Sequence, residues 1–446
     1  MSPETLAITM FFTLFVGLLL GHPLAFTLGV LALIFGVIGW GGSMDAVMAL
    51  LVNRAYGVME EYVLVAVPLF IFMAQLLDAS GIAERLFETM HIVMGRLRGG
   101  LGIAVIIACT IFAATAGVVG ATEVSIGLLA IPALMRVKYN IPLIAGCICA
   151  GGTLGILIPP SIMLVVYGGL TQISVGWLYA AAFGPGFLLS ALYIAYIAIL
   201  CFFKPEYGPP ETESKHTGAE KLAMFSKSIV PPIVLVFIVL GSIVLAIATP
   251  TEAAGMGCVG AIVLAVAYGR FTWKMLKDAC WSTTITTSMI MTLFLGGNAF
   301  QAVFMGLGGG EAIANFILGT QWSPLGILFL MMGIVFFLGC FLDWLGILLI
   351  VTPIFIPVTM EIGMNQLWFG TLICVNLQMA FLTPPFGYSL FYLKGIAPPE
   401  MTIYHIYKGI IPFVCLQWVG LILCIVIPDI IMWAPKTFFG PGVMGG

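Results

Sequence analysis

Two stretches carry the chemistry this sequence can do. They are Gly151-Gly152-Thr153-Leu154-Gly155-Ile156-Leu157-Ile158-Pro159-Pro160-Ser161 and Asn376-Leu377-Gln378-Met379-Ala380-Phe381-Leu382-Thr383-Pro384-Pro385-Phe386. Each places two adjacent prolines inside an apolar run, about 141–170 and about 367–394, long enough to cross a bilayer. Paired prolines remove two backbone donors and clash with the preceding turn, so a helix cannot run through them. Upstream glycines let the first chain segment leave helical geometry without steric penalty. A helix broken at mid-membrane frees N–H and C=O groups, which is tolerable only against protein or a water-lined cavity. Two such breaks, one in each half of a membrane chain, mark the binding region of a secondary transporter.

Freed carbonyls and small hydroxyls are hard oxygen ligands, suited to an alkali cation without a cage of carboxylates. Half-helix N-termini present donors and partial positive charge, suited to a carboxylate or sulfonate. None of the 16 Lys and Arg residues falls at this depth, so an anion would be balanced by helix ends and co-bound cations. Cation coupling is therefore expected. Asp343, in an apolar stretch, is the sharpest single residue; it reads either as an ion ligand or as the cap of the following helix. Glu123 reads as a protonatable partner, a helix N-terminal charge or a residue facing the vestibule. Thr153, Ser161, Asn376, Gln378 and Thr383 lie on the breaks, either lining the cavity or bonding to broken backbone. The expected substrate contacts are Thr122, Glu123, Ser161 and Gln378, with Pro160 and Pro385 beside them. Glu252, after Thr249-Pro250-Thr251, reads as a helix cap, and Tyr167 and Tyr392 as packing residues.

The elements that must position these residues follow from composition. The chain of 446 residues is 61% hydrophobic and 8% charged, with a mean hydropathy of +1.17, where a soluble domain carries about 25% charged residues. An all-α integral membrane protein is the class implied. A net charge of −3 without a basic cluster argues against nucleic acid as a partner. The ten cysteines show no metal or redox spacing and read as buried and reduced. Met1 to Glu4 have no basic n-region, so the first apolar run reads as a retained span.

Candidate spans are about 4–20, 23–40, 61–80, 141–170, 176–203, 229–249, 252–269, 283–305, 367–394 and 409–430. Two more apolar stretches, within about 101–138 and 325–362, are interrupted by polar or small residues, Thr115 to Glu123 and Gly339 to Gly346. Each is either two crossings or a re-entrant hairpin. With the N-terminus outside, 14 of the 16 basic residues fall on the cytoplasmic side, all but Arg54 and Lys436. Charge fixes the orientation under both readings. The polar tips favour hairpins, which bring Glu123 and Asp343 to the depth of the breaks instead of leaving them in water.

The polar segment 204–228 reads as a cytoplasmic linker between repeats 1–203 and 229–446. A shift of 225 positions matches Pro132/Pro357, Asn140/Asn365, Cys149/Cys374, Pro159/Pro384, Pro160/Pro385 and Tyr167/Tyr392, among others. Each half holds five spans, an odd number, so the second copy is inserted upside down. Amphipathic stretches at 83–98 (inside) and about 308–320 (outside) fit interfacial arm helices. Both termini are placed in the periplasm.

At 151–161 the sequence resembles the signature of the large membrane subunit, DctM-like, of tripartite ATP-independent periplasmic (TRAP) transporters. Supporting matches are Val67-Pro68-Leu69-Phe70 with Ser80-Gly81, Thr249 to Ala254, Gly339 to Asp343 and Leu382 to Gly387, in order along the chain. The resemblance implies an elevator of the ion-transporter superfamily type: two inverted repeats, two re-entrant hairpins and two broken helices moving against a scaffold. It implies Na+ as the coupling ion, a small four-helix DctQ-like membrane partner in the bacterial inner membrane, and a periplasmic binding protein delivering a small organic acid. Carried onto this sequence, the first sodium site uses Thr115 and Gly117 in the tip with Gly152 and Thr153 in the break. The second uses Gly339 and Asp343 with Asn376 and Thr383. Family members often have a Ser-rich first tip, where this chain has Thr-Ala-Gly-Val-Val-Gly-Ala-Thr-Glu; Asn-Leu-Gln-Met also departs from the common small-residue break, which singles out Gln378 for substrate preference.

A stand-alone sodium- or proton-coupled carboxylate transporter or exchanger of a related family is the alternative. An intramembrane enzyme would need a nucleophile–base pair or metal motif; neither Gly-x-Ser-x-Gly nor His-Glu-x-x-His occurs. C4-dicarboxylate, 2-oxo or hydroxy acid, sugar acid and small sulfonate all fit an uncharged pocket with helix-end donors.

Overall fold

The computed structural model describes residues 2–117, 119–211, 218–319, 322–384, 387–440 and 442. The described residues form twenty α-helices and short 3-10 turns, without a strand. The first half begins with α1 (Pro3–Leu19) and α2 (Leu24–Gly39), packed on each other. Next come α3 (Met44–Glu60), a 3-10 turn, α4 (Ala66–Ala79) and the amphipathic α5 (Ile82–Met94). A hairpin of α6 (Gly100–Ala116) and α7 (Val119–Arg136) follows, then the broken helix α8 (Ile141–Thr153) and α9 (Ile162–Thr171), and the long α10 (Val175–Phe203).

The second half repeats this order. It comprises α11 (Gly218–Val244), α12 (Pro250–Ala267), α13 (Trp273–Gly306) and α14 (Gly309–Gly319). A second hairpin joins α15 (Pro324–Gly339) to α16 (Trp344–Glu361). The second broken helix is α17 (Gln366–Ala380) and α18 (Tyr388–Ile396), before α19 (Ile403–Val426) and α20 (Asp429–Phe439).

Local chemistry sets these boundaries. Asn140 and Asn365 each cap the first half of a broken helix, Oδ1 accepting from Leu143 N at 3.3 Å and Trp368 N at 2.9 Å. The helices so started, α8 and α17, end short of the double prolines. Thr249 and Glu252 form a reciprocal capping box on α12, the role expected of Glu252.

Among the described residues eight helical segments, one of them the 3-10 turn continued by α4, are long and apolar enough to cross a membrane; α6, α15, α8 and α9 are among the shorter apolar ones. At 34 residues, α13 is about 50 Å long and exceeds a hydrocarbon core of about 30 Å. Its first ten residues precede the span expected at 283–305, and its partner in the first half is divided into α3 and α4. Three features differ from the sequence expectation. α3 was not anticipated, because Asp45, Asn53, Arg54 and Glu60 make it too polar to register as a span. α20 was also not anticipated; it carries Asp429 and Lys436 and packs on α10. α11 begins at Gly218, inside the stretch read as linker to 228.

The halves interlock through glycines. A Cβ on Gly146 of α8 would stand 2.3 Å from Gly409 O of α19, and one on Gly409 would stand 2.0 Å from Pro142 O. The first half of one broken helix is thereby pressed backbone to backbone against the last long helix of the other half.

Candidate functional site

At the first break, α8 stops at Thr153, a 3-10 turn takes Leu154–Ile156, and the chain runs non-helically through Pro159 and Pro160 before α9. Residues 151–161 are all buried. The Ser161 hydroxyl donates to Ile156 O, and Tyr179 OH to Ser161 O at 3.5 Å, so freed carbonyls find protein donors. The hairpin tip closes on this break. Gly117 has φ +62°, and a Cβ there would lie 2.4 Å from Pro160 O, so only glycine fits. Thr115 donates its hydroxyl to Phe112 O at 2.7 Å and lines a narrow apolar recess shared with Pro160, Met73 and Leu77. Gly152 faces Glu123, whose Cβ would be 2.9 Å from a Cβ on the glycine, and Thr122 beside it is buried.

At the second break the tip also meets its own broken helix: a Cβ on Gly339 would fall 2.2 Å from Ala380 Cβ. Asn376 is buried and donates to Met332 O on α15 at 2.6 Å. Thr383 turns its hydroxyl back onto Met379 O at 2.8 Å. Asp343 is the N-cap of α16, accepting from Leu345 N at 3.4 Å, and is close enough to Tyr388 and Tyr392 to act on them electrostatically. Of the residues grouped as the second site, Asp343 makes no hydrogen bond to Asn376 or Thr383 among the described residues. Pro385 lies outside the described residues.

The two breaks meet. Gln378 Nε2 donates to Thr153 Oγ1 at 3.3 Å, across 225 positions. Each hairpin also reaches the other half's broken helix, α7 packing on α18 and α16 on α9. Ser389 of α18 donates to Glu123 Oε1 at 2.9 Å, and a Cβ on Gly120 would touch the Tyr392 ring at 3.2 Å. Sequence reading missed Ser389, Met332 and Cys149, whose thiol lies 4.0 Å from Ser389 O. The only signal for any of them was the Cys149/Cys374 match, which by itself reads as packing.

Three buried oxygens here lack partners among the described residues: Glu123 Oε2, Asn376 Oδ1 and Gln378 Oε1. All are acceptors, and buried acceptors left unpaired are costly. No ion pair among the described residues involves Glu123 or Asp343. The arrangement is therefore a set of inward oxygens without a fixed positive charge, chemistry that receives a cation or a ligand donor.

The sequence matches the family model described as "Tripartite ATP-independent periplasmic transporter, DctM component" over residues 11–430. It is 32% identical over 397 residues to the C4-dicarboxylate TRAP transporter large permease protein DctM of Pseudomonas aeruginosa, covering 88% of this chain and 91% of that protein. It is 30% identical over 436 residues to the ectoine/5-hydroxyectoine TRAP transporter large permease protein UehC of Ruegeria pomeroyi, covering 97% and 100%. Its fold resembles that of the Alcanivorax borkumensis YdaH transporter, with a TM-score of 0.59, 16% identity and 91% of each chain covered.

Proposed function

The chain belongs to the DctM family of TRAP transporters, a multi-pass protein of the bacterial inner membrane and not an enzyme, and we propose that it is the large permease subunit of a sodium-coupled importer of a small organic acid anion. In this reading it works with a small DctQ-like membrane subunit and a periplasmic binding protein, and carries its cargo by an elevator movement of hairpins and broken helices. The observation that carries the reading is the Gln378–Thr153 contact, which joins the two breaks amid unpaired oxygens.

Each part of the site has a physical task. The tip at Thr115 and Gly117, with Gly152 and Thr153, offers backbone and hydroxyl oxygens for one sodium ion. Gly339, Asp343, Asn376 and Thr383 offer a carboxylate, an amide oxygen and carbonyls for a second; Asn376 Oδ1 is free to serve. The N-terminus of α9 at Ser161 and the Gln378 amide supply donors for the anion. Sodium bound beside them supplies the positive charge that the side chains do not.

Dicarboxylate and ectoine, the substrates named for two relatives, differ in charge and shape, so the binding protein is given most of the selection. The test is uptake by proteoliposomes holding this chain with its small subunit, fed by the binding protein encoded beside it. C4-dicarboxylates and ectoine serve as first trial ligands, with the binding protein's own ligand then established by thermal shift. Uptake is expected to require an inward sodium gradient and the binding protein. Uptake by the large chain alone would sink the reading in favour of a stand-alone carboxylate transporter.

A further inference from the structure

We propose that Tyr392, with Tyr388 one turn before it, is a substrate-contact residue: its phenol hydroxyl donates to the acidic group of the transported anion between the two hairpin tips. This deepens the transport reading above and rests on it for the nature of the cargo.

The shift of 225 positions that pairs the two breaks also pairs Tyr167 on α9 with Tyr392 on α18, and the sequence reads both as packing residues. The fold treats them differently. Tyr167 is 0% exposed, its ring pressed on α17, where a Cβ on Gly370 would lie 2.2 Å from it. Residues 162–168 of α9 are all buried. Tyr392 is 42% exposed and shares an open face of α18 with Tyr388 and Phe391, four and one positions before it. The residue that packing consumes in one half is left free to meet a ligand in the other.

Both hairpins set its position. A Cβ on Gly120, in the first turn of α7, would stand 3.2 Å from the ring carbon that carries the hydroxyl and 3.4 Å from the two beside it. The glycine thus admits the oxygen-bearing end of the ring against the first tip. From the second tip, Asp343 is close enough to act on both phenols electrostatically, and Glu123 acts on Tyr392 from the first. Tyr388 leans on Phe381, just past the end of α17, with ring centres 5.7 Å apart. The Tyr392 hydroxyl therefore stands where the two tips and the second break converge.

A carboxylate or sulfonate arriving there needs donors. Lys394, the base on α18, gives its ammonium to Met401 O at 3.2 Å. A phenol supplies a donor without adding charge, and a hydrogen bond to an ionised acceptor is about twice as strong as a neutral one. The ring offers an apolar surface to the carbon skeleton of the cargo. In the transport reading, sodium beside Asp343 offsets the carboxylate that would otherwise repel an anion.

Thiol labelling of the full chain in lipid vesicles tests the exposure. In a C280S/C415S background, where the remaining cysteines are buried, the anionic reagent sulfonatoethyl methanethiosulfonate is added on both sides. Y392C is expected to react and Y167C to stay unlabelled. An unlabelled Y392C, or equal labelling of the two, overturns the proposal. Y392F tests the contact, since it keeps the ring against Gly120 and removes only the hydroxyl; its melting temperature is expected to match the wild type. Succinate, isethionate and ectoine are titrated in turn against thermal unfolding of the chain with its small subunit, in saturating sodium. For the probe that binds the wild type, Y392F is expected to lose apparent affinity roughly tenfold or more, with its sodium response unchanged. Unchanged affinity counts against the contact. A weakened sodium response alone makes the phenol a support for Asp343 and also overturns it. If the wild type binds the probe equally in potassium while Y392F still binds it weakly, the coupling ion of the parent reading is wrong and the contact stands.

Discussion

Gln378 and Thr153 hold corresponding positions in the two halves, 225 residues apart, and are bonded to each other through Nε2 and Oγ1 at 3.3 Å. Equivalent residues can touch only where the relation between the halves brings each onto its counterpart. The pair therefore marks the point about which the two broken helices are arranged, and the unpaired Gln378 Oε1 lies there.

A double-mutant cycle reports on that contact. Q378A and T153V should each lower thermal stability in detergent, and together by less than their sum, with a coupling of about 1 kcal/mol. Strict additivity would mean the bond contributes nothing. In the reconstituted system, Q378A is expected to change the substrate concentration dependence more than the sodium dependence.

Asp343 is both a helix cap and the proposed ligand of the second sodium site, and two substitutions separate these roles. Asn caps a helix about as well as Asp, so D343N should cost little stability, while D343A should cost about 1 kcal/mol. Both should abolish sodium-dependent uptake with membrane insertion intact. Full sodium dependence in D343N would reduce Asp343 to a cap.

Gly117 tolerates no side chain. G117A combines φ +62° with a Cβ 2.4 Å from Pro160 O, and is expected to cost at least 1–2 kcal/mol, about the left-handed penalty alone, and to abolish uptake. G333A, on the first arm of the other hairpin with nothing within 4 Å, is the control and should change the melting temperature little. Equal behaviour of the two would show that tip and break are not in contact.

The strap after α10 is held by Glu211, which contacts His91 and bonds to Arg136 at 3.1 Å, and by Gly99 N donating to Gly208 O at 2.9 Å. These partners are partly exposed, so E211A should alter global stability by less than about 1 kcal/mol. It should speed protease cleavage in 205–211. Unchanged cleavage would place the hold in the backbone bonds alone.

How much of this was legible beforehand follows from the range of each interaction. The breaks, the hairpin turns and the Thr249–Glu252 capping box are local: residues a few positions apart decide them, and the chain displays those residues directly. α3 and α20 escaped because a search for long uncharged apolar runs passes over a helix interrupted by charged residues and one of only 11 residues. Tertiary structure alone decided the partners. That Glu123 meets Ser389, 266 positions away, and that Asn376 turns to Met332 depends on which faces of separate helices are pressed together. A buried polar side chain must take its partner from whatever packing brings within 3 Å or so, and only the folded chain sets that.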